Sequence, residues 1–296
     1  MVFAAINMAP GGPEMIFIAE DLDMAAAAQI RIKLGLDQPF AVRYAKWLAL
    51  LCRGDLGASL TGGGIPVATL ISERLGATIL LTGTSLILSI AVATVLGVAS
   101  AVKQYSLLDK LLTIYAYFGM SFPSFWLGIM AILVFSLWLG LLPTAGMTTY
   151  GLEANIGSRL SHLILPVLTL STGQIGGFTR FTRSSMLEVL KQDYVRTARS
   201  KGVSERTVIY KHALKNALIP VITVIGLNLR SLIAGAVFVE TIFAWPGLGR
   251  LAMMSVNRRD LPVVMGVNVA VTLLVLLTNL LTDLAYVMVD PRIQFD

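Results

Sequence analysis

Few residues of this chain have the types and spacing that chemistry requires. The sequence holds one cysteine, Cys52, and two histidines, His162 and His212, so it predicts neither an intrachain disulfide nor a metal site. One nucleophile–base pair is conceivable, because Ser121 in "GMSF" could meet His162 in the fold. Ser121 stands in an apolar block with no evident oxyanion arrangement, which argues against an intramembrane protease.

Nucleotide-binding motifs are missing or misplaced. A P-loop needs a Gly-Lys pair within G-x-x-x-x-G-K-[ST], and this sequence has no Gly-Lys dipeptide. The stretch 247–252 matches a loose G-x-G-x-x-A pattern, but an apolar helix rather than a β-strand precedes it. We interpret it as an extracytoplasmic turn, in which Pro246-Gly247 breaks the chain and Trp245 is an anchor at the membrane interface.

Two charged residues fall inside apolar stretches. Arg230 is near the middle of residues 217–239, where a charge is costly and normally faces a cavity or a partner. It either lines a translocation path and attracts an anionic group, or pairs with Glu240 or the partner permease, or lies at an end of the helix if the helix starts later. Asp283 lies near one end of the last apolar stretch, where pairing with the basic loop or snorkelling explains it better than proton coupling.

The elements that must position these residues are membrane helices. Of the 296 residues, 56% are hydrophobic and 14% charged, whereas about a quarter are charged in a soluble domain, and the mean hydropathy is +0.77. Apolar blocks approach or exceed the length of roughly 20 residues that spans a bilayer, at 75–102, 110–153, 163–179, 217–239 and 263–289. The sequence predicts an all-α polytopic membrane protein with five full transmembrane helices plus a truncated first one at 1–9.

Two local features predict how these helices pack. Small residues recur every four positions along the first block, at Ser85, Ser89, Ala93, Gly97 and Ala101. Such a stripe lets helices approach closely in lipid, so we expect this face to pack on a neighbouring helix. Pro123 is predicted to bend or interrupt the second block.

Lys and Arg indicate the orientation of the chain. Residues 180–216 carry nine of them against three acidic residues, so this loop is predicted to be cytoplasmic. The net charge of +6 therefore points to cytoplasmic loops rather than to nucleic acid. We expect 10–76 to be an extracytoplasmic segment with amphipathic helices, 77–289 to be the transmembrane domain, and 290–296 to be a cytoplasmic tail.

The basic loop has the pattern of two short helices joined by an elbow. One face is formed at spacings of three and four by Leu187, Leu190, Tyr194 and Ala198. Gly202 is typical of a helix stop, and Ser204 followed by Glu205 is typical of a helix start. The pattern favours a structured element presented to a partner over a solvated loop.

The stretches "YVRTARSKG" and "HALKNALIP" resemble the cytoplasmic coupling loop of ABC-type importer permeases, in the dipeptide/oligopeptide/nickel branch. Collinear stretches such as "GDLGASL", "SFPSFWLGI", "VETIFAWPGLGRL" and "DPRI" extend the resemblance over essentially the whole chain. With Gly202 on the glycine of the general importer motif, Arg196, Thr197 and Ala198 fall on its E-A-A. Arg196 stands where that motif has its glutamate, and Lys215 stands where it ends in proline, so contacts of the motif carboxylate are not carried over.

The resemblance implies an ABC type I importer permease architecture in the inner membrane. This chain would be a permease subunit, not an enzyme, forming half of a translocation pathway beside a second homologous permease subunit. It would bind no cofactor or metal, because ATP and Mg belong to two cytoplasmic ATPase subunits. Residues implied in ATPase coupling are Asp193, Tyr194, Arg196, Thr197, Ala198, Arg199, Gly202 and His212.

The same resemblance implies an extracytoplasmic solute-binding protein as a further partner. The loop Trp245, Pro246 and Gly247 would lie near it. We expect di- or oligopeptides as cargo, with nickel or another small solute as the alternative within the family. A secondary carrier or channel is a more distant alternative, since it would lack the elbow loop and carry more intramembrane carboxylates.

Overall fold

The computed structural model describes residues 3–4, 37–152 and 155–289, and most of them are helical. The helices are α1 (Phe40–Cys52), α2 (Val67–Val102), α3 (Leu107–Ser121), α4 (Ser124–Ala131), α5 (Ile156–Val189), α6 (Asp193–Ser200), α7 (Glu205–Thr207), α8 (Leu214–Ile242), α9 (Leu248–Asn257) and α10 (Leu261–Val289). A π-helical segment, Ile132–Trp138, continues α4, and another, Val208–Ala213, links α7 to α8.

Three helices in the described ranges are long and apolar enough to cross a membrane alone, namely Val67–Val102, Glu205–Asn228 and Leu261–Thr282. A fourth candidate is α3 together with Ser124–Trp138, bent by 102°. The break falls at Pro123, which cannot donate a helical hydrogen bond, so the predicted interruption is confirmed.

The predicted total of five spans stays a prediction. The third block, predicted at 163–179, belongs to the much longer α5, whose serine, threonine, glutamine and arginine residues lower its hydropathy, and it is not among these candidates. Most of the predicted remnant at 1–9, part of the 10–76 segment and the 290–296 tail lie outside the described residues.

The chain divides into two compact units. The first comprises Met1–Ala77 and Pro246–Leu273. Its buried core contains Val67 and Ile71 of α2, Leu248 and Leu251 of α9, and Val263 and Val267 of α10. A side chain at Gly266 would overlap Val67, so glycine is what lets α10 approach α2 this closely.

The second unit comprises Thr78–Trp245 and Leu274–Asp296, and α5 is central to its packing. The predicted small-residue stripe of α2 is buried or half-buried along its whole length, which confirms that this face packs on a helix. That helix is α5, because Ser171 Oγ donates to the carbonyl of Ser85 (3.2 Å) and a Cβ at Gly97 would lie 2.6 Å from Thr182 Cβ.

Glycines also bring α3 against α5. A Cβ at Gly176 would overlap the carbonyl oxygen of Ala116, and a Cβ at Gly119 would lie 2.9 Å from the carbonyl oxygen of Thr172. Backbone therefore meets backbone in this contact, which has no room for a methyl group on either helix.

Candidate functional site

The basic loop forms a helix–elbow–helix, here called the coupling element (residues 193–218). After α6, Gly202 takes a left-handed backbone conformation with φ of +75°. Its N–H donates to the carbonyl of Arg199 (2.9 Å), and the N–H of Val203 donates to that of Ala198 (3.3 Å). These bonds close the end of α6 at position 202, where the left-handed conformation favours glycine. The predicted elbow is therefore confirmed.

An ion pair stiffens the elbow. Arg199 donates to both carboxylate oxygens of Glu205, from Nη2 to Oε1 (2.7 Å) and from Nε to Oε2 (3.2 Å). The hydrogen bond to Glu205 raises the pKa of Arg199 above its ordinary value. Because both side chains are exposed, the pair contributes little stability, but its two parallel bonds orient α6 relative to α7.

A small core lies beneath α6. Val195 and Ala198 pack with Val208 of the π-helical segment, and the partly buried Val189, Leu190 and Val203 surround them. Leu187, Leu190, Tyr194 and Ala198 were predicted to form one helical face, and that continuous face is interrupted, since Tyr194 is exposed whereas Ala198 is buried. The turn between α5 and α6 breaks the helical register on which the prediction relied. Tyr194 Oη instead accepts a hydrogen bond from Asn216 Nδ2 (3.0 Å) in α8.

The outer face of the coupling element is charged and open. Of the eight residues predicted to take part in coupling, six are exposed, namely Asp193, Tyr194, Arg196, Thr197, Arg199 and Gly202. Ala198 is buried in the small core, and His212 is half-buried in the π-helical segment. The structure thus brings all eight into one element, although they face different directions.

The coupling element is packed onto the apolar helices. Ile209, Ala213 and Ala217 form a buried cluster with Val98 and Ala101 of α2 and Met186 of α5. Ser185 Oγ of α5 also donates to the carbonyl of Ala217 (2.7 Å). A displacement of the coupling element must therefore shift these helices or break a buried contact.

An ion pair between the buried Asp109 and the half-buried Arg183 holds the turn between α2 and α3 against α5. Arg183 Nε and Nη2 donate to Asp109 Oδ1 and Oδ2, at 2.7 and 2.8 Å. Asp109 also accepts hydrogen bonds from Ser100 Oγ and from the N–H of Tyr105 (2.9 Å). Its carboxylate therefore ties together the end of α2, the turn, the start of α3 and α5.

Sequence reasoning missed this pair. The available signal was local, because Ser106 followed by Asp109 is typical of a helix start, and Ser106 Oγ does accept a hydrogen bond from the N–H of Asp109 (3.2 Å). A helix-start signal does not indicate which distant residue pairs with the Asp109 carboxylate.

A cavity of about 360 Å³ opens where α3 breaks into α4. Its walls come from both halves of the broken helix and from α5 and α8. They include Gly119, Ser124, Thr169, Gln174, Gly177 and Asn228. Among the described residues, no Asp, Glu, Lys, Arg or His lines it.

The loop predicted to face a binding protein is mostly buried. The side chain of Trp245 is fully buried, so its predicted role as an interfacial anchor is wrong. Its N–H returns to the carbonyl of Glu240 (2.8 Å), which closes the end of α8. Gly247 is buried and caps α9, while Pro246 is half-buried.

In the first unit, Asp260 organises the loop that precedes α2. Its carboxylate accepts hydrogen bonds from Ser59 Oγ (2.5 Å), from the N–H (3.1 Å) and Oγ1 (2.8 Å) of Thr61, and from the N–H of Leu60 (3.2 Å). Burial opposes ionisation, but these donors outweigh it and hold the pKa of Asp260 below its ordinary value.

The two intramembrane charges lie in helices, Arg230 in α8 and Asp283 in α10, and their side chains lie outside the described part of the structure. Arg230 precedes Glu240 by ten residues in α8, and the suggested ion pair between them stays a prediction. Glu240 is fully buried and accepts a hydrogen bond from Thr78 Oγ1 (2.7 Å).

The suggested Ser–His pair is not assembled. Ser121 Oγ donates to the carbonyl of Tyr117 (2.8 Å), and His162 Nδ1 bonds with the carbonyl of Ser158 (2.7 Å), each within its own helix. Across the described residues, no group of three or more His, Cys, Asp or Glu could hold a metal ion.

Known proteins resemble this chain in sequence and in fold. The oligopeptide transport system permease protein AppB of Bacillus subtilis is 45% identical over 293 residues, covering 99% of this chain and 93% of that protein. A chain of the MetNI methionine ABC transporter, in an inward-facing conformation, has a TM-score of 0.62 at 16% identity, covering 75% of this chain and 97% of that one. A chain of an amino acid ABC transporter with histidines has a TM-score of 0.52 at 15% identity, covering 74% and 94%.

The family match agrees with these likenesses. Residues 93–295 match the family described as the binding-protein-dependent transport system inner membrane component. This match covers more than half of the chain and includes the coupling element, the Asp109–Arg183 pair and the cavity. The chain therefore belongs to the inner-membrane permease family of binding-protein-dependent ABC transport systems.

Proposed function

We propose that this chain is the transmembrane permease subunit of an ATP-driven importer of di- or oligopeptides. It forms half of the translocation pathway and couples to a separate ATPase through residues 193–218. The observation that carries the proposal is the coupling element, which exposes a charged face and is packed onto α2, α5 and α8. The oligopeptide transport named for the relative AppB supports peptides, rather than nickel, as the cargo.

Force from the ATPase reaches the spans through a series of contacts. The glycine elbow and the Arg199–Glu205 pair let α6 and α7 move as one rigid piece. The buried cluster around Ala213 then carries that motion to α2 and α5. The Asp109–Arg183 pair carries it from α5 to α3, and so to the broken helix and its cavity.

The family implies the other members of the assembly. A second permease subunit completes the pathway, two cytoplasmic ATPase subunits bind ATP and Mg, and an extracytoplasmic binding protein delivers cargo. This chain itself binds no cofactor and catalyses no reaction. Within it, 180–216 faces the cytoplasm, 10–76 the opposite side, and Arg230 lines the path.

The test is uptake by the reconstituted assembly. The complex is purified with its partners, placed in proteoliposomes with the binding protein, and supplied with ATP on the ATPase side and with labelled tri-alanine on the other. ATP-dependent accumulation of the peptide is expected. Uptake of nickel but not of peptide would support the small-solute alternative instead. Gradient-driven uptake by this chain alone would show that it is a secondary carrier.

A further inference from the structure

One exposed arginine of α5 has no counter-charge within this chain as far as the structure describes it. The side chain of Arg180 makes no hydrogen bond and no ion pair there. Arg183, three residues further along the same helix, is by contrast paired with Asp109. In a membrane protein, an arginine on a helix is normally paired, or faces a cavity or water. The surroundings of Arg180 therefore indicate which anion it attracts.

Two aromatic rings hold the guanidinium in place. Its Cζ lies 5.9 Å from the ring centroid of Tyr117 in α3 and 5.8 Å from the ring centroid of Phe181 in α5. Both distances are within the roughly 6 Å over which a cation is attracted to the face of a ring. This attraction acts on the charge of the guanidinium and leaves its fork of N–H donors available. Because Arg180 and both rings are exposed, an incoming anion can reach these donors.

The arginine stands at the edge of the cavity, on the side nearer the coupling element. Gly177 and Phe181 of α5 line that cavity, and so does Met120 of α3. Arg180 precedes Phe181 by one residue and follows Gly177 by about one helical turn. From there α5 leads past Arg180 to the coupling element. A solute that leaves the cavity toward the ATPase side therefore passes this guanidinium.

The position of Tyr117 favours a solute over a lipid as the partner. α3 carries a stripe of exposed apolar side chains at helical spacing, which suits contact with acyl chains. The stripe consists of Leu107, Leu111, Ile114 and Phe118. Tyr117 lies about 100° around the helix from Phe118, on the same side of the stripe as the cavity-lining Met120. Arg180 is therefore held beside the lipid-facing stripe, toward the cavity.

We propose that Arg180, held by Tyr117 and Phe181, binds the C-terminal carboxylate of the peptide cargo at the cytoplasmic edge of the cavity. Every linear peptide carries this carboxylate whatever its side chains, and a guanidinium binds a carboxylate through two parallel N–H···O bonds. The contact is transient, because exposed ion pairs of this kind are weak. The proposal rests on the proposed function, since it needs peptides to cross this subunit.

The first experiment removes the charge from the protein and from the cargo in turn. Arg180→Gln, Arg180→Lys and the control Lys110→Gln are purified with all partner subunits and placed in proteoliposomes with the same binding protein. Lys110 is exposed on α3, about two turns before Tyr117, and forms no ion pair with the described residues. Its variant therefore loses the same formal charge. Initial ATP-dependent uptake is measured for labelled tri-alanine and for its C-terminal carboxamide, and the result is the acid-to-amide uptake ratio.

We expect Arg180→Gln to lower the acid-to-amide ratio at least fivefold, because only the carboxylate loses a partner. Arg180→Lys keeps the charge but not the paired donors, so its ratio should lie between those of the glutamine variant and the wild type. Lys110→Gln should keep the ratio within twofold of the wild type. A ratio that Arg180→Gln leaves unchanged, or that Lys110→Gln lowers equally, would overturn the site.

A lipid phosphate is the other anion that this guanidinium would bind. The same uptake measurements are therefore made in vesicles of phosphatidylcholine alone and in vesicles that also contain phosphatidylglycerol. Cargo binding predicts the same effect of Arg180→Gln on the ratio in both. If the variant instead changes uptake of acid and amide equally, and only in the presence of phosphatidylglycerol, Arg180 is a lipid anchor and the cargo site is overturned.

A second design applies if Arg180→Gln does not assemble. Arg180→Cys is made together with Cys52→Ser, and its thiol is modified after assembly with a water-soluble reagent that adds either an ammonium or a sulfonate group. The ammonium should raise the acid-to-amide ratio above that of the unmodified thiol, and the sulfonate should lower it. If neither reagent reaches the thiol, or if both change the ratio in the same direction, the site is overturned.

The outcomes separate the site from the proposed function. If the wild type takes up peptide while the variants at position 180 keep its ratio, the carboxylate site is overturned and the importer stands. If the wild type takes up no peptide with ATP, the proposed function fails, and the carboxylate site fails with it.

Discussion

Arg183 of α5 donates to both carboxylate oxygens of Asp109 at the start of α3, at 2.7 and 2.8 Å, although 74 residues separate them in sequence. α5 leads directly into the coupling element, and α3 leads into the broken helix. The pair is therefore a polar joint between α5, which leads into the coupling element, and α3, which leads into the helix that lines the cavity. Asp109 is buried, so its carboxylate depends on the partly exposed Arg183 as a counter-charge.

Loss of the Asp109 carboxylate should loosen this joint. Asp109→Ala leaves Arg183 without its counter-charge; breaking a fully buried pair costs about 3–5 kcal/mol, and the cost here is expected to be smaller because the Arg183 side chain is 27% exposed. We expect a lower free energy of unfolding in denaturant titrations of the purified complex, together with lower uptake. Lys110→Ala, at the exposed neighbouring position, is the control. If the two variants lose the same stability, the pair does not hold the joint.

The elbow of the coupling element should depend on glycine at position 202. Its φ of +75° costs an ordinary residue about 1–2 kcal/mol, and no neighbouring atom lies within 4 Å of an added Cβ, so strain is the whole effect. Gly202→Ala should lower the peptide transported per ATP hydrolysed. Gly202→Asn should lose less, because asparagine tolerates this conformation. Equal coupling ratios for glycine, alanine and asparagine would contradict this prediction.

Two adjacent glycines of α5 should respond differently to replacement by alanine, because only Gly176 lies in the contact with α3. Gly176→Ala places a methyl group on the carbonyl of Ala116, and overpacking of this kind costs about 1–3 kcal/mol. Gly177→Ala meets nothing within 4 Å and should be neutral or slightly stabilising in a helix. Thermal midpoints of the two purified variants check this. A Gly176→Ala variant as stable as Gly177→Ala would show that the helices are not in this close contact.

The Asp260 network should make the first unit sensitive to acid. Because its folded pKa is below the ordinary value of about 3.9, its contribution to stability is complete above that pH and is lost as pH falls through the folded pKa. Wild type should exceed Asp260→Asn by a constant margin between pH 7 and 5, and the margin should shrink below pH about 4. Limited proteolysis of the 57–66 loop across this range measures it. A margin that widens in acid would contradict the assignment.

Features that depend on neighbours in sequence were predictable. The stripe that includes Ser89 and Gly97, the break at Pro123 and the elbow at Gly202 each follow from local geometry or from the limits of one residue type. The face predicted from Leu187 to Ala198 was wrong because helical periodicity was extended through the turn between α5 and α6, which resets the register.

Features that depend on distant partners were not predictable. Asp109 with Arg183, and Ser59 with Asp260, are 74 and 201 residues apart, and neither pairing has a signature in the residues around each member. Trp245 was placed at the membrane interface from its type alone, because amphipathic aromatic residues are common there. Its burial follows from the way the chain closes α8, which the residue type does not encode.

Cross-linking from the coupling element tests the central claim most directly. Arg196→Cys and Tyr150→Cys are each made with Cys52→Ser, which removes the one native thiol, and the assembled complex is treated with a short thiol-to-amine reagent. Both positions are exposed, Tyr150 at 98%, but only Arg196 lies in the coupling element. We predict a cross-link from Arg196→Cys to the ATPase subunit and none from Tyr150→Cys. A complex that keeps its ATPase bound yet cross-links equally from both positions, or only from Tyr150→Cys, would contradict the account.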